Sequence, residues 1–171
     1  MNQATIADNP YRNRVEQALG SRDPFQVLAE TPRALGAFVK ANPAARMRAR
    51  PFEGKWTPNE ILGHLADAEW AWGWRIREVL SRDRPTLLGY DQEAWVAAQQ
   101  HNEHEPQEHL DTFTAMRKSN LALWRRIPPA DMERLGMHAE RGPESLRTML
   151  RMHAGHDLLH IDQITRYLAA V

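Results

Sequence analysis

Residues 149–160 (MLRMHAGHDLLH) hold three of the protein's eight histidines, His153, His156 and His160. Leu146, Met149, His153, His156, His160, Ile164 and Tyr167 recur at intervals of three and four, the period of one helix face. Imidazoles turned inward among Leu, Met and Ile need partners for their nitrogens, and a metal ion is an economical one. His156 and His160 stand one helical turn apart, so both can grip a single ion. That pair alone is a weak signal, because a histidine on an apolar face is usually a hydrogen-bonded core residue. A third ligand from elsewhere in the chain strengthens it.

His64 supplies the third imidazole. Residues 56–61 (WTPNEI) carry an unusually complete helix start: Thr57 as cap, Pro58 at the first helical position and Glu60 three after the cap. Trp56 and Ile61 are spaced for a hydrophobic staple. The predicted helix runs to about residue 80, with Ile61, Leu65, Ala68, Trp72, Ile76 and Val79 as its core stripe and His64 at one edge. Three neutral imidazoles leave a tetrahedral ion one open position for water or substrate, whereas structural zinc sites fill all four. Imidazole suits zinc, nickel, iron or copper; zinc or nickel is the expectation. His153 is read as a pocket-lining or hydrogen-bonded residue, or else as a fourth ligand that would close the site.

The whole chain narrows the field of functions. Its 171 residues suffice for one domain (1–171, with 1–22 as a lead-in segment) and a proper core. Lys plus Arg and Asp plus Glu balance at 22 each, so no net basic field recruits nucleic acid or an anionic membrane. No apolar run approaches the roughly 20 residues of a membrane span. The N-terminus lacks the basic and apolar blocks of a signal peptide, and a cytoplasmic protein is expected. With no cysteine, disulfides and thiolate chemistry of the chain's own are excluded. Any metal is held by His, Asp or Glu.

Helical periodicity dominates and no convincing alternating strand is present, so the fold class is all-α. A short helix is predicted over 9–19, ended by Gly20. A first long helix follows over 24–40, which Pro32 could kink or divide. A connection spans 41–55, and beyond the helix at 57–80 lies an excursion over 84–106 containing a short helix at 92–100. A third long helix covers 107–127, Pro128 and Pro129 stop it, and the last long helix opens at Pro143 or Ser145. Four long helices with a polar excursion make a four-helix bundle, whose core is a common place for metals. Trp70 and Trp74 lie off the core stripe and either cover the excursion, the preferred reading, or meet a second subunit. His101, His104 and His109 sit among Asn, Glu and Gln and read as a solvated stretch.

Three carboxylates are candidates for the general base: Glu69, Asp91 and Asp157. Glu69 flanks the stripe of the second long helix, where an acid has a buried partner or reaches solvent at the boundary. Asp157 lies near the inward face of the last helix, placed to orient a ligand histidine or to pair with Arg75.

Residues 56–69 (WTPNEILGHLADAE) resemble the second-helix signature of the DinB/YfiT-like metalloenzymes, and residues 156–164 (HDLLHIDQI) resemble their last-helix signature. Residues 90–95 (YDQEAW) and 135–142 (LGMHAERG) are similar to the intervening segments of one branch, and the likeness covers roughly 25–170. The resemblance implies a four-helix bundle with a long crossover connection, often a homodimer. It also implies a divalent metal held by one histidine of the second helix and a pair from the last, which fall on His64, His156 and His160. Characterised relatives are metal-dependent hydrolases, or transferases and isomerases that use a low-molecular-weight thiol. The expected function is a metal-activated water or small thiol acting on a small-molecule substrate. Two rivals stand beside it: a non-catalytic dimeric stress protein in which the ion staples two helices, and a plain bundle with core histidines.

Overall fold

Three of the four long helices begin where the sequence marks a cap. In the computed structural model, which describes residues 9–171, Asn9 caps α1 (Pro10–Leu19) and Asp23 caps α2 (Pro24–Ala41). Thr57 and Glu60 close a full capping box on α4 (Pro58–Ser81), satisfying two backbone donors that a helix start leaves orphaned. Ser145 caps α7 (Leu146–Ala169), accepting from the Thr148 N–H. A one-turn α3 (Ala44–Met47), a short α5 (Gln92–Ala98) and α6 (Pro106–Trp124) complete the helices. The first eight residues of the expected lead-in segment lie outside the described residues.

Helices α2, α4, α6 and α7 form the four-helix bundle: α4 packs on α6 and α7, and α2 packs on the same two. The fold class agrees with the sequence reading. Helix α1 is part of the core as well, since Val15 and Leu19 are buried and the helix lies along α7. Gly155 permits that approach. A Cβ there would lie 2.3 Å from the Val15 carbonyl oxygen, closer than any side chain tolerates. Pro32 does not divide α2, which runs unbroken to Ala41. Its missing N–H frees the Leu28 carbonyl, and that carbonyl accepts from Arg117 Nη1 at 3.0 Å.

A three-stranded sheet, not expected from the sequence, closes one end of the bundle. Strand β1 (Thr86–Leu87) pairs parallel with β2 (Leu135–His138), and β2 pairs antiparallel with β3 (Gly142–Ser145). The strands have two to four residues and include Gly136, Gly142 and Pro143, so they offer no alternation to read. The sheet ties the excursion after α4 to the connection before α7 and, with its β2–β3 turn, sets His138 and Arg141 on the wall of a cavity that His156 also lines. Among the described residues no helix is long and apolar enough to cross a membrane.

Candidate metal centre

The capping box fixes where α4 starts and therefore the side from which His64 enters the bundle. The Ser145 cap does the same for His156 and His160 on α7. One ligand atom from each of these three imidazoles lies within 4.8 Å of the others. The Nε2 atoms of His64 and His156 face each other at 3.1 Å. Ligand nitrogens at roughly 2.0–2.1 Å from a tetrahedral ion stand about 3.3 Å apart, so this separation is close to that of a shared ion. His64 and His156 are buried and His160 half-buried. Trp56 leans on the His64 ring, centroid to centroid 4.9 Å.

The protonation state suits ligation. Burial pushes all three imidazoles down; neighbouring imidazoles add to the effect on His64 and His156, and His160 is lowered to about 4. They are neutral near pH 7, as metal ligands must be. The Nδ1 atoms of His64 and His156 are buried without a protein partner. The facing Nε2 atoms can share one proton at most, or turn two lone pairs on a common cation. His160 Nδ1 instead meets Gln163 Oε1 at 2.9 Å, a contact that fixes the tautomer with Nε2 free. The donor set fits a divalent ion.

The three candidate carboxylates have different surroundings. Glu69 and Asp157 are both pinned by Arg117, a buried residue of α6 that sequence reasoning did not single out. Arg117 donates to Glu69 Oε1 at 2.6 and 3.1 Å, and to the two oxygens of Asp157 at 2.6 and 3.0 Å. Asn120 Nδ2 donates to Glu69 Oε2. Burial would raise the Glu69 carboxyl, but His153 and Arg117 outweigh it and hold it well below the ordinary range. The buried-partner reading of Glu69 is correct. Asp157 pairs with Arg117 rather than Arg75, and no hydrogen bond joins it to a ring of the trio among the described residues. Asp91 caps α5 through Ala94 N and lines a cavity of about 380 Å³ that His156 also lines.

His153 stands outside the trio. Its ring stacks on Trp72, accepts at Nδ1 from Trp124 Nε1 at 3.4 Å, and meets Glu69 Oε1 through Nε2 at 2.5 Å. Of the readings open for it, the hydrogen-bonded one holds. The solvated reading of 101–109 is corrected for two of its three histidines. His101 and His109 are buried, because Asp67 takes His101 Nε2 at 2.7 Å and the His101 carbonyl takes His109 Nε2 at 2.9 Å. His104 remains exposed. The excursion does not cover Trp70 and Trp74, which are 64% and 40% exposed; with Leu88 and Trp95 they wall an open groove.

Acid should loosen the metal-free fold. His138, buried beside the cavity, is pushed down to about 4 by burial and by Arg141 and Arg75, and the trio is lowered too. Between 6.5 and about 4 the unfolded chain takes up protons that the folded chain refuses, so stability falls as pH falls through that window. With roughly 2–4 °C of midpoint per kcal/mol at this size, chelated protein should melt several degrees lower at about pH 5 than at about pH 7.5. An unchanged midpoint would contradict the burial of neutral imidazoles.

Known proteins agree with this architecture. The chain is 30% identical over 113 residues to a protein of Oceanobacillus iheyensis named "Putative metal-dependent hydrolase OB0782". That stretch covers 66% of this chain and 64% of the relative, less than two thirds of the relative's length. It is 23% identical over 161 residues to "Putative metal-dependent hydrolase YfiT" of Bacillus subtilis, covering 91% of this chain and 90% of that one. The solved structure of Bacillus subtilis YfiT superposes with a TM-score of 0.79 at 24% identity, over 84% of this chain and 83% of that one. That structure is described as having an unusual four-helix bundle topology. Residues 28–164 match the DinB superfamily, a span that takes in all three histidines, and the chain belongs to that superfamily.

Proposed function

We propose that the protein is a divalent-metal-dependent enzyme acting on a small molecule, with His64, His156 and His160 as the metal ligands. The observation that carries this reading is the convergence of three imidazoles from two helices, two buried and one half-buried, beside a cavity that His156 lines. The names of the relatives point toward hydrolysis, and a small thiol is the other nucleophile such a site can use. A divalent ion held there would lower the pKa of water or of a thiol toward neutrality, supplying the nucleophile that a cysteine-free chain lacks.

The chain's own residues do the rest. The α4 and α7 backbones hold the imidazoles on one point, and Gln163 sets the His160 tautomer. Of the three candidates Arg117 occupies Glu69 and Asp157, and Asp91, on the cavity wall with Glu93 and Glu140, is the carboxylate we assign to moving the proton. Three protein ligands rather than four favour an open, reactive position over a helix staple.

Cobalt-substituted protein separates the two. Addition of 2-mercaptoethanol or a small anion should change its visible spectrum, because the open position exchanges. A spectrum indifferent to both would identify a closed structural site instead.

A further inference from the structure

Arg75 is a guanidinium with no ion-pair partner among the described residues; Glu144, the carboxylate whose charge acts on it, is taken by Arg141. Arg75 is 5% exposed on α4 and lines the cavity that His156 lines. Its Nη2 donates to the Leu88 carbonyl at 2.9 Å, while Nε is buried with no partner. Among the described residues no carboxylate comes within ion-pair distance of it, and its guanidinium lies over the rings of Trp72 and Tyr90, at 5.5 and 6.0 Å. A buried cation with an orphaned donor is costly unless something pairs with it.

A second orphaned donor belongs to the same cavity. His138 Nδ1 accepts from the Glu140 N–H, so the imidazole proton sits on Nε2, and that atom is buried without a partner. The nearby Arg141 is already neutralised by Glu144. One guanidinium with no direct ion pair and one neutral donor therefore share the cavity, whose walls also carry Asp91, Glu93 and Glu140. These acids weigh more heavily against a phosphate dianion than against a single negative charge. The planar guanidinium matches a carboxylate. Next to the cavity, and sharing Arg75, Gly89 and Tyr90 with it, lies an apolar groove of about 410 Å³ walled by Trp70, Trp74 and Trp95.

We propose that Arg75 and His138 form the subsite for the carboxylate of a small organic monoanion whose apolar body lies along the tryptophan groove. This names the substrate class of the enzyme read above and rests on that reading for its catalytic meaning. The subsite itself needs no metal.

The test uses the full chain, zinc-loaded and chelated, with metal content measured on the same samples. Phenylacetate, phenylacetamide and inorganic phosphate are titrated into wild type, Arg75→Gln and His138→Leu. In the chelated protein phenylacetate should bind, phenylacetamide and phosphate should bind much more weakly, and Arg75→Gln should lose roughly ten- to a hundred-fold in affinity. His138→Leu should lose several-fold, and it carries the test if Arg75→Gln fails to fold by circular dichroism. Equal affinity in wild type and the variants, amide or phosphate binding as tight as carboxylate, or no carboxylate binding at about 10 mM would overturn the subsite. A protein that holds no zinc yet keeps the Arg75-dependent binding would sink the metal reading and leave the subsite standing.

Discussion

Arg117→Ala is expected to destabilise the fold by about 3–5 kcal/mol, the cost of leaving buried charges unpaired. Arg117, Glu69 and Asp157 are each about 1% exposed. The guanidinium makes four hydrogen bonds to the two acids and a fifth to the Leu28 carbonyl that Pro32 leaves free. Burial opposes its charge, but Asp157 and Glu69 more than compensate and raise its pKa further. Alanine abandons two carboxylates where water cannot reach them. Denaturant titration of wild type and variant measures the loss. Adding Glu69→Gln and Asp157→Asn to Arg117→Ala should recover a large part of it, because the penalty belongs to the stranded charges. A loss under about 1 kcal/mol would mean that the cluster is solvated in solution.

His156→Ala should weaken metal binding by well over a hundred-fold, beyond the 10–100-fold typical of losing an outer-shell partner, while the helical circular dichroism stays. The effect extends to stability. An ion present at about a thousand times its dissociation constant stabilises the native state by about 4 kcal/mol. Chelation should therefore lower the melting temperature of wild type and leave His156→Ala nearly unmoved. If chelation shifts both equally, the ion binds elsewhere.

Much of this was legible from spacing. The Thr57 capping box, the three-and-four periodicity around His156 and the stripe of α4 are local patterns, and local patterns set helix limits within a residue or two. The convergence of His64 with His156 and His160 followed from placing both faces on one core. Pairings over long sequence separations were not legible. Arg117 looks like a surface residue of α6, because nothing near it in the chain announces two buried acids on α4 and α7. His101 and His109 sit in a polar run, yet Asp67 on α4 draws the first inward and the His101 carbonyl anchors the second. The sheet escaped because its strands are too short to alternate and take their order from partners 51 residues away in register, Thr86 beside Met137.

Elemental analysis of wild type beside His64→Ala, both purified with zinc and dialysed, tests the central claim most directly. Convergence of the trio on one ion predicts about one ion per wild-type chain, almost none in the variant, and the same helical content in both. Equal metal in the two proteins would contradict it.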